Sequence, residues 1–222
     1  MKDIIIIGAG GHGRETAQLI KDINENQPAW KLLGFIDDRA ELQGKQVNGI
    51  DVIGTISRLA DPLLTHAHLI CAIGDSRIRR HIITKIDAIH SSYKYATLIH
   101  PTAVVGERVR IGEGTMICAH CVITTDIVIG RHVIVNYCSS IGHDSLLEGE
   151  VTVLPGARIS GSVHLGKGSS IGSGAVVLPG INVGEETIVG AGAVVTAPLP
   201  ARSTAVGVPA KVIKIHEKNC RC

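Results

Sequence analysis

The sequence predicts two unlike parts: a small parallel α/β region over residues 1–97, then a solenoid of short parallel strands over residues 98–206, with residues 207–222 as a C-terminal cap or tail. Three observations predict this. From Ile99 to Val195 every sixth residue is Ile, Val or Leu, and a strict short period is the signature of a stacked-strand solenoid. The preceding residues ignore that period and alternate apolar runs with amphipathic stretches, as strands and helices of a parallel sheet do. A glycine-rich turn, Gly8-Ala9-Gly10-Gly11-His12-Gly13, follows the first apolar run and opens the first amphipathic stretch.

In order along the chain, Ile4–Ile7 reads as a buried strand. Gly13–Ile23 reads as a helix, with Ala17, Ile20 and Ile23 on one face. Leu32–Ile36 is a second strand, ending at Asp37-Asp38. Thr55–Ala67 is a mixed, largely helical stretch. Leu69–Ile73 is a third strand, followed by Gly74-Asp75, and Ser76–Ile89 is a second amphipathic helix carrying Ile78, Ile82, Ile83 and Ile86. The solenoid opens at Ile99-His100-Pro101 and closes near Thr196–Pro200, with three hexads to a coil and about five coils. Glycine fills the second place of many hexads, as at Gly106, Gly112, Gly130, Gly142, Gly166, Gly172, Gly184 and Gly190. The expected reason is the unusual φ that a tight corner demands. The fifth place is small or β-branched, as at Thr115, Ser139, Ser169 and Ala193.

Phe, Trp and Tyr together number five, so the core is built from aliphatic residues, which suits a narrow filled tube. The formal charge of +2 is small and its basic residues are scattered, which does not describe a nucleic-acid partner. No apolar run reaches spanning length, so no membrane partner is expected. The start lacks a signal peptide's longer apolar core, and a cytoplasmic setting is expected, with the six cysteines reduced. Cys118-Ala-His-Cys121 has metal or redox spacing, but Cys121 occupies a fifth place where a small residue is wanted. No metal is expected. Cys220 and Cys222 read as thiols in a polar tail.

These motifs together resemble a known family. The hexads resemble the left-handed β-helix of hexapeptide-repeat acyltransferases, and Gly207–Ile213 (GVPAKVI) resembles their closing motif. The segments Ile6–Gly13 (IIGAGGHG), Phe35–Asp38 (FIDD), Ala72–Asp75 (AIGD) and Gly142–Asp144 (GHD) resemble the NeuD/PglD family of bacterial sugar acetyltransferases. That resemblance implies a Rossmann-like sugar-nucleotide domain before the β-helix and a homotrimer with active sites between adjacent β-helices. It also implies acetyl-CoA as co-substrate and acetyl transfer to the amine of a UDP- or dTDP-linked 4-amino-4,6-dideoxy sugar.

Taken alone, the glycine-rich turn lets backbone N–H groups and a helix N-terminus approach phosphates. One reading is a dinucleotide site with Asp37 and Asp38 as ribose partners, but the region is short for a second mononucleotide half. The resemblance implies a nucleotide-linked sugar instead, with Gly10, Gly11 and His12 at the diphosphate and Asp37, Asp38 and Gly74 framing the nucleoside. Among the solenoid histidines, His143 stands out because it follows a corner glycine and precedes a carboxylate, Asp144. An imidazole has the right proton affinity to deprotonate an attacking amine at neutral pH, and a carboxylate can orient it. Neighbouring side chains on a regular strand diverge, so their contact requires a corner.

Eighteen residues after His143 comes Gly161, whose N–H the resemblance assigns as oxyanion donor. Asn136 matches a family site residue and also reads as a left-handed corner residue. For acetyl-CoA the resemblance points to Thr152, Gly161, Ser173 and Ala191. Thr152 stands where the PglD type carries a second active-site histidine, a departure that leaves the acceptor open. Cys138 as an acyl-carrying nucleophile lacks an evident base. Competing readings are sugar O-acetylation, as of sialic acid, a non-catalytic sugar-nucleotide scaffold, and a metal-dependent hydratase of γ-carbonic-anhydrase type. The last needs a histidine pair five residues apart, which the solenoid lacks.

Overall fold

The structure, a computed structural model, describes residues 1–217; the predicted tail thiols Cys220 and Cys222 lie outside the described residues. The described chain divides into two units, Met1–Pro101 and a second from Thr102 onward.

The first unit runs β1 (Lys2–Ile7), α1 (Gly11–Asn26), β2 (Trp30–Ile36), β3 (Gln46–Val47), β4 (Ile50–Gly54), β5 (His68–Cys71), α2 (Ser76–Ile89) and β6 (Lys94–Tyr95). Its sheet has the order β3-β4-β2-β1-β5-β6, parallel except at the β3–β4 hairpin. Ile4 to Ile7 are all buried, as expected for a central parallel strand covered on both faces. The chain leaves β1 toward β2 on one side, while β5 pairs on the other. The carboxyl end of β1 is therefore the switch point where open α/β sheets bind ligands.

Two expectations for this unit change. Thr55–Ala67 is not one helical stretch but two short 3-10 helices, Ile56–Ala60 and Pro62–Leu64. Pro62 has no N–H to continue the first, and the Asp61 carboxylate caps the second at Leu63 N, 3.0 Å away. The β3–β4 hairpin was not expected. Its Asn48-Gly49 turn, with φ of 51° and 76°, is the two-residue turn that matches strand twist.

The second unit is a parallel β-helix. Two-residue strands stack with a register of eighteen, as in Ser140↔Arg158 and Ile141↔Ile159, forming three faces. The six-residue stripe is buried from Ile117 through Val195, while Val105 is 37% exposed at the first coil, because an end coil is stacked on one side only. Fifth-place residues such as Cys121, Ser139, Ala157 and Ala175 fill the same interior. After the last coil Ser203–Val206 joins one face in parallel, and Lys211–Ile215 returns antiparallel beside it.

The second-place glycines have a different cause from the one expected. None has a positive φ; a side chain there would strike the next coil. A Cβ at Gly142 would lie 2.5 Å from Gly161 N, and one at Gly112 2.6 Å from the Gly130 carbonyl carbon. From Arg108 to Gly192 the left-handed corner residue is the fourth of each hexad, filled by Asp126 (φ 58°), Cys138 (59°), Asp144 (57°) and Glu150 (56°) among others.

Candidate active site

In the first unit, one cavity of about 670 Å³ is lined by Gly10, Gly11, His12, Asp37, Asp38 and Gly74 together. It opens at the carboxyl ends of β1, β2 and β5. Gly13 must be glycine because a Cβ would sit 2.0 Å from the Gly8 carbonyl oxygen, and this close approach brings the start of α1 to the end of β1. The N-cap of α1, Gly10, offers no side-chain cap, and its first turn holds no acidic residue. The N–H groups there remain directed at whatever anion enters. Asp75, by contrast, caps α2 by accepting from Arg77 N and Ile78 N.

The two aspartates hold backbone as well as lining the cavity. Asp37 accepts from Ala9 N at 2.8 Å and from the Arg39 guanidinium at 2.9 Å, so it ties the glycine-rich turn to the end of β2. The Arg39 hydrogen bonds hold its carboxyl at about 2. Asp38 accepts from Ile56 N at 2.8 Å. His12 Nδ1 meets Glu15 at 3.2 Å, while its Nε2 is buried without a partner among the described residues. Burial keeps His12 below the ordinary imidazole range, with the Arg79 charge acting in the same sense against Glu15. The apolar part of the wall comes from Ile36, Ile56, Ile73, Ile78 and Ile82.

In the second unit the corner geometry that His143 requires is present. Asp144 takes the left-handed conformation, which turns its carboxylate back to accept from His143 Nδ1 at 2.7 Å. Both side chains are 63% exposed. The imidazole lies against Gly161, where a Cβ would fall 2.5 Å from Nε2. Backbone bonds fix the neighbouring coils: Ser162 N donates to His143 O at 2.7 Å and Asp144 N to Thr125 O at 3.3 Å. Gly161 N–H donates to no acceptor among the described residues. The corner therefore offers an oriented base beside an unused N–H donor.

The coil register places Thr125 beneath His143 and Asp126 beneath Asp144. The Arg108 guanidinium grips Asp126 at 2.5 and 2.9 Å and reaches Thr125 Oγ1 at 3.2 Å. Subtracting eighteen from 143 and 144 would have found this pair.

Other expected residues fall elsewhere on the chain. Asn136, Ser173 and Ala191 belong to a different corner, and Thr152 lies on the strand leading to it. Six residues advance one third of a coil, so a single chain keeps these apart from His143. Asn136 is not left-handed, since Cys138 takes that role in its corner. Its Nδ2 donates to Val153 O at 3.3 Å and its carbonyl accepts from Cys121 Sγ at 3.0 Å. Cys121 lies inside the tube and Cys118 is also buried. Among the described residues no three His, Cys, Asp or Glu side chains gather as a metal site, and no helix is long and apolar enough to cross a membrane.

A hexapeptide-repeat β-helix with an oriented histidine at one corner, following in sequence an α/β unit with a switch-point cavity, defines an acetyltransferase of the sugar-modifying type. The comparisons agree. The PglD N-terminal domain family matches residues 3–86. GDP-perosamine N-acetyltransferase of Escherichia coli O157:H7 is 36% identical over 173 residues, covering 78% of this chain and 76% of its own. The solved structure of PerB from Caulobacter crescentus, in complex with CoA and GDP-perosamine, is 32% identical with a TM-score of 0.87, covering 96% of this chain and 98% of its own. The acetyltransferase domain of PglB from Neisseria gonorrhoeae FA1090, in complex with acetyl coenzyme A, is 36% identical with a TM-score of 0.85, covering 96% and 99%. The chain belongs to the NeuD/PglD family of bacterial sugar acetyltransferases, and its solenoid is the left-handed β-helix of that family.

Proposed function

We propose that the protein transfers the acetyl group of acetyl-CoA to the amine of a nucleoside-diphosphate-linked 4-amino-4,6-dideoxy sugar. The observation that carries this is the His143–Asp144 pair set against the unused N–H of Gly161. The sugar amine attacks the thioester carbonyl carbon while His143 Nε2 accepts its proton. Asp144 holds the Nδ1–H tautomer and offsets the imidazolium charge. Gly161 N–H receives the developing oxyanion. Collapse of the tetrahedral intermediate re-forms the carbonyl, breaks the C–S bond and returns the proton from His143 to the CoA sulfur. No acyl-enzyme is needed, and transfer is direct within a ternary complex.

The cavity of the first unit supplies the nucleotide site, with Gly10, Gly11 and His12 at the phosphates and Asp37, Asp38 and Gly74 toward the nucleoside. Ser173, Ala191, Thr152 and Asn136 occupy a corner that one chain keeps away from His143. A homotrimer, in which a neighbouring copy brings that corner to His143, reconciles the two and places acetyl-CoA between copies. A cytoplasmic setting supplies both substrates and reduced thiols.

Two of the relatives named above, the Escherichia coli enzyme and PerB, act on or bind GDP-perosamine, whereas the sequence-based expectation is a UDP- or dTDP-linked sugar. The test is an acetyl-CoA assay with amino sugars on all three nucleotides and free sialic acid as control. His143→Ala is expected to lower turnover by about 10²–10⁴ with its melting temperature retained. Near wild-type turnover in that variant, or a preference for free sialic acid, sinks the proposal. Sedimentation of the full chain tests the trimer.

A further inference from the structure

The wall of the first-unit cavity conceals a cation. Arg79, on α2, is 1% exposed and is the bulkiest of the fully buried side chains. It does not line the cavity itself. Its Nη1 donates to the carbonyls of Ile73 at 2.5 Å and Gly74 at 3.0 Å, two of the four residues that join β5 to α2 and part of that wall. Removing a guanidinium from water is costly, and a helix needs no arginine merely to pack against a sheet.

We infer that Arg79 is a positioning residue for the diphosphate of the nucleotide sugar, drawing the Ile73 and Gly74 carbonyls back from the cavity and holding a positive charge behind the phosphate site. This rests on the nucleotide reading of the cavity given above. Carbonyl oxygens turned toward a diphosphate would repel it. Held by Arg79, they point into the protein, and the cavity instead meets the uncapped N–H groups at the start of α1. The charge is felt at that place: burial lowers the His12 pKa first, and the Arg79 charge acts in the same sense. A buried cation is also screened less by salt than a surface one.

Calorimetry on the full chain separates this role from plain wall-building. The probes are GDP, UDP and dTDP, each beside its nucleoside without phosphate. In R79Q the nucleoside diphosphate that wild type binds is expected to lose about ten- to hundredfold in affinity, with nucleoside affinity nearly unchanged. R79K keeps the charge and is expected to retain most of the wild-type preference for diphosphate, which reports on Arg79 even where R79Q lowers stability. By NMR titration the His12 pKa is expected to rise in R79Q and not in R79K. Equal losses for diphosphate and nucleoside, an unchanged preference in R79Q, or R79K behaving as R79Q overturns the role of Arg79 alone. Wild type that binds none of the three diphosphates overturns the nucleotide reading with it.

Discussion

The imidazole of His143 lies against the backbone of Gly161, so closely that a Cβ at 161 would stand 2.5 Å from Nε2 and 2.6 Å from Cε1. Gly161 has no positive φ, so alanine fits its backbone, and the group in its way is the end of an exposed, rotatable side chain. Gly161→Ala is expected to change stability by less than about 1 kcal/mol. If His143 is the base proposed above, turnover should fall tenfold or more, since a displacement of about 1 Å suffices for that. Melting curves beside steady-state kinetics check it; a variant with full activity would show that the ring does not work from this position.

Gly142 carries the opposite expectation. There a Cβ would lie 2.5 Å from both Gly161 N and the Ser160 carbonyl carbon, backbone that cannot swing aside. Gly142→Ala is expected to cost about 1–3 kcal/mol, lowering the melting point by roughly 2–4 °C for each kcal/mol in a chain of this size. Calorimetric melting of the variant beside Gly161→Ala measures the contrast directly.

Asp37 sets a pH dependence. Its carboxyl, held at about 2 by Arg39 and the Ala9 N–H, lies below its unfolded value of about 3.9. A carboxylate depressed on folding contributes stability above the unfolded pKa and loses it as pH falls toward the folded one. Asp37→Asn is therefore expected to melt below wild type at pH 7, the gap closing between pH 4 and 2. Melting points across that range test it; a gap that stays constant would mean the carboxylate charge contributes nothing.

Thiol reactivity should divide by place in the fold. Burial pushes Cys71 up to about 12 and raises Cys121, and Cys118 is buried, whereas Cys138 is exposed at a corner. Brief alkylation of native protein near pH 8 is expected to label Cys138 and spare Cys71, Cys118 and Cys121, because the thiolate is the reactive form. Peptide mapping by mass spectrometry reads the outcome. Labelling of Cys121 in folded protein would mean that the tube opens.

The six-residue stripe made the solenoid legible, because one aliphatic per hexad is what a narrow interior demands at every step. The glycines were legible as positions but not as causes. Sequence cannot separate a residue that needs a positive φ from one that must have no side chain, and here Asp144 and Cys138 take the φ while Gly142 and Gly112 give the clearance. The contact of His143 with Asp144 could be stated as a requirement but not seen, since it depends on one left-handed residue. Arg79 was hidden. In Ser76-Arg77-Ile78-Arg79-Arg80-His81 it looks like one of several solvent-facing cations, and only the packing of α2 shows that it points inward. The hairpin turn at Asn48-Gly49 carried a readable signal, but the strand before it, Gln46–Val47, is too short to show alternation.

The coil register gives this protein two reading frames. Its core is read in sixes, while a column of stacked corner residues such as His143 and Gly161 is read in eighteens. Loss of six residues between Asp144 and Gly161 would leave the aliphatic stripe unbroken and the tube able to close. Yet the residue then stacked on His143 would be Lys167, a bulky cation where a bare backbone N–H belongs. A six-residue indel between His143 and Gly161 is thus expected to keep the core in register while acting as a frameshift on the proposed pairing of base and N–H donor, whereas one beyond either residue leaves that pairing untouched.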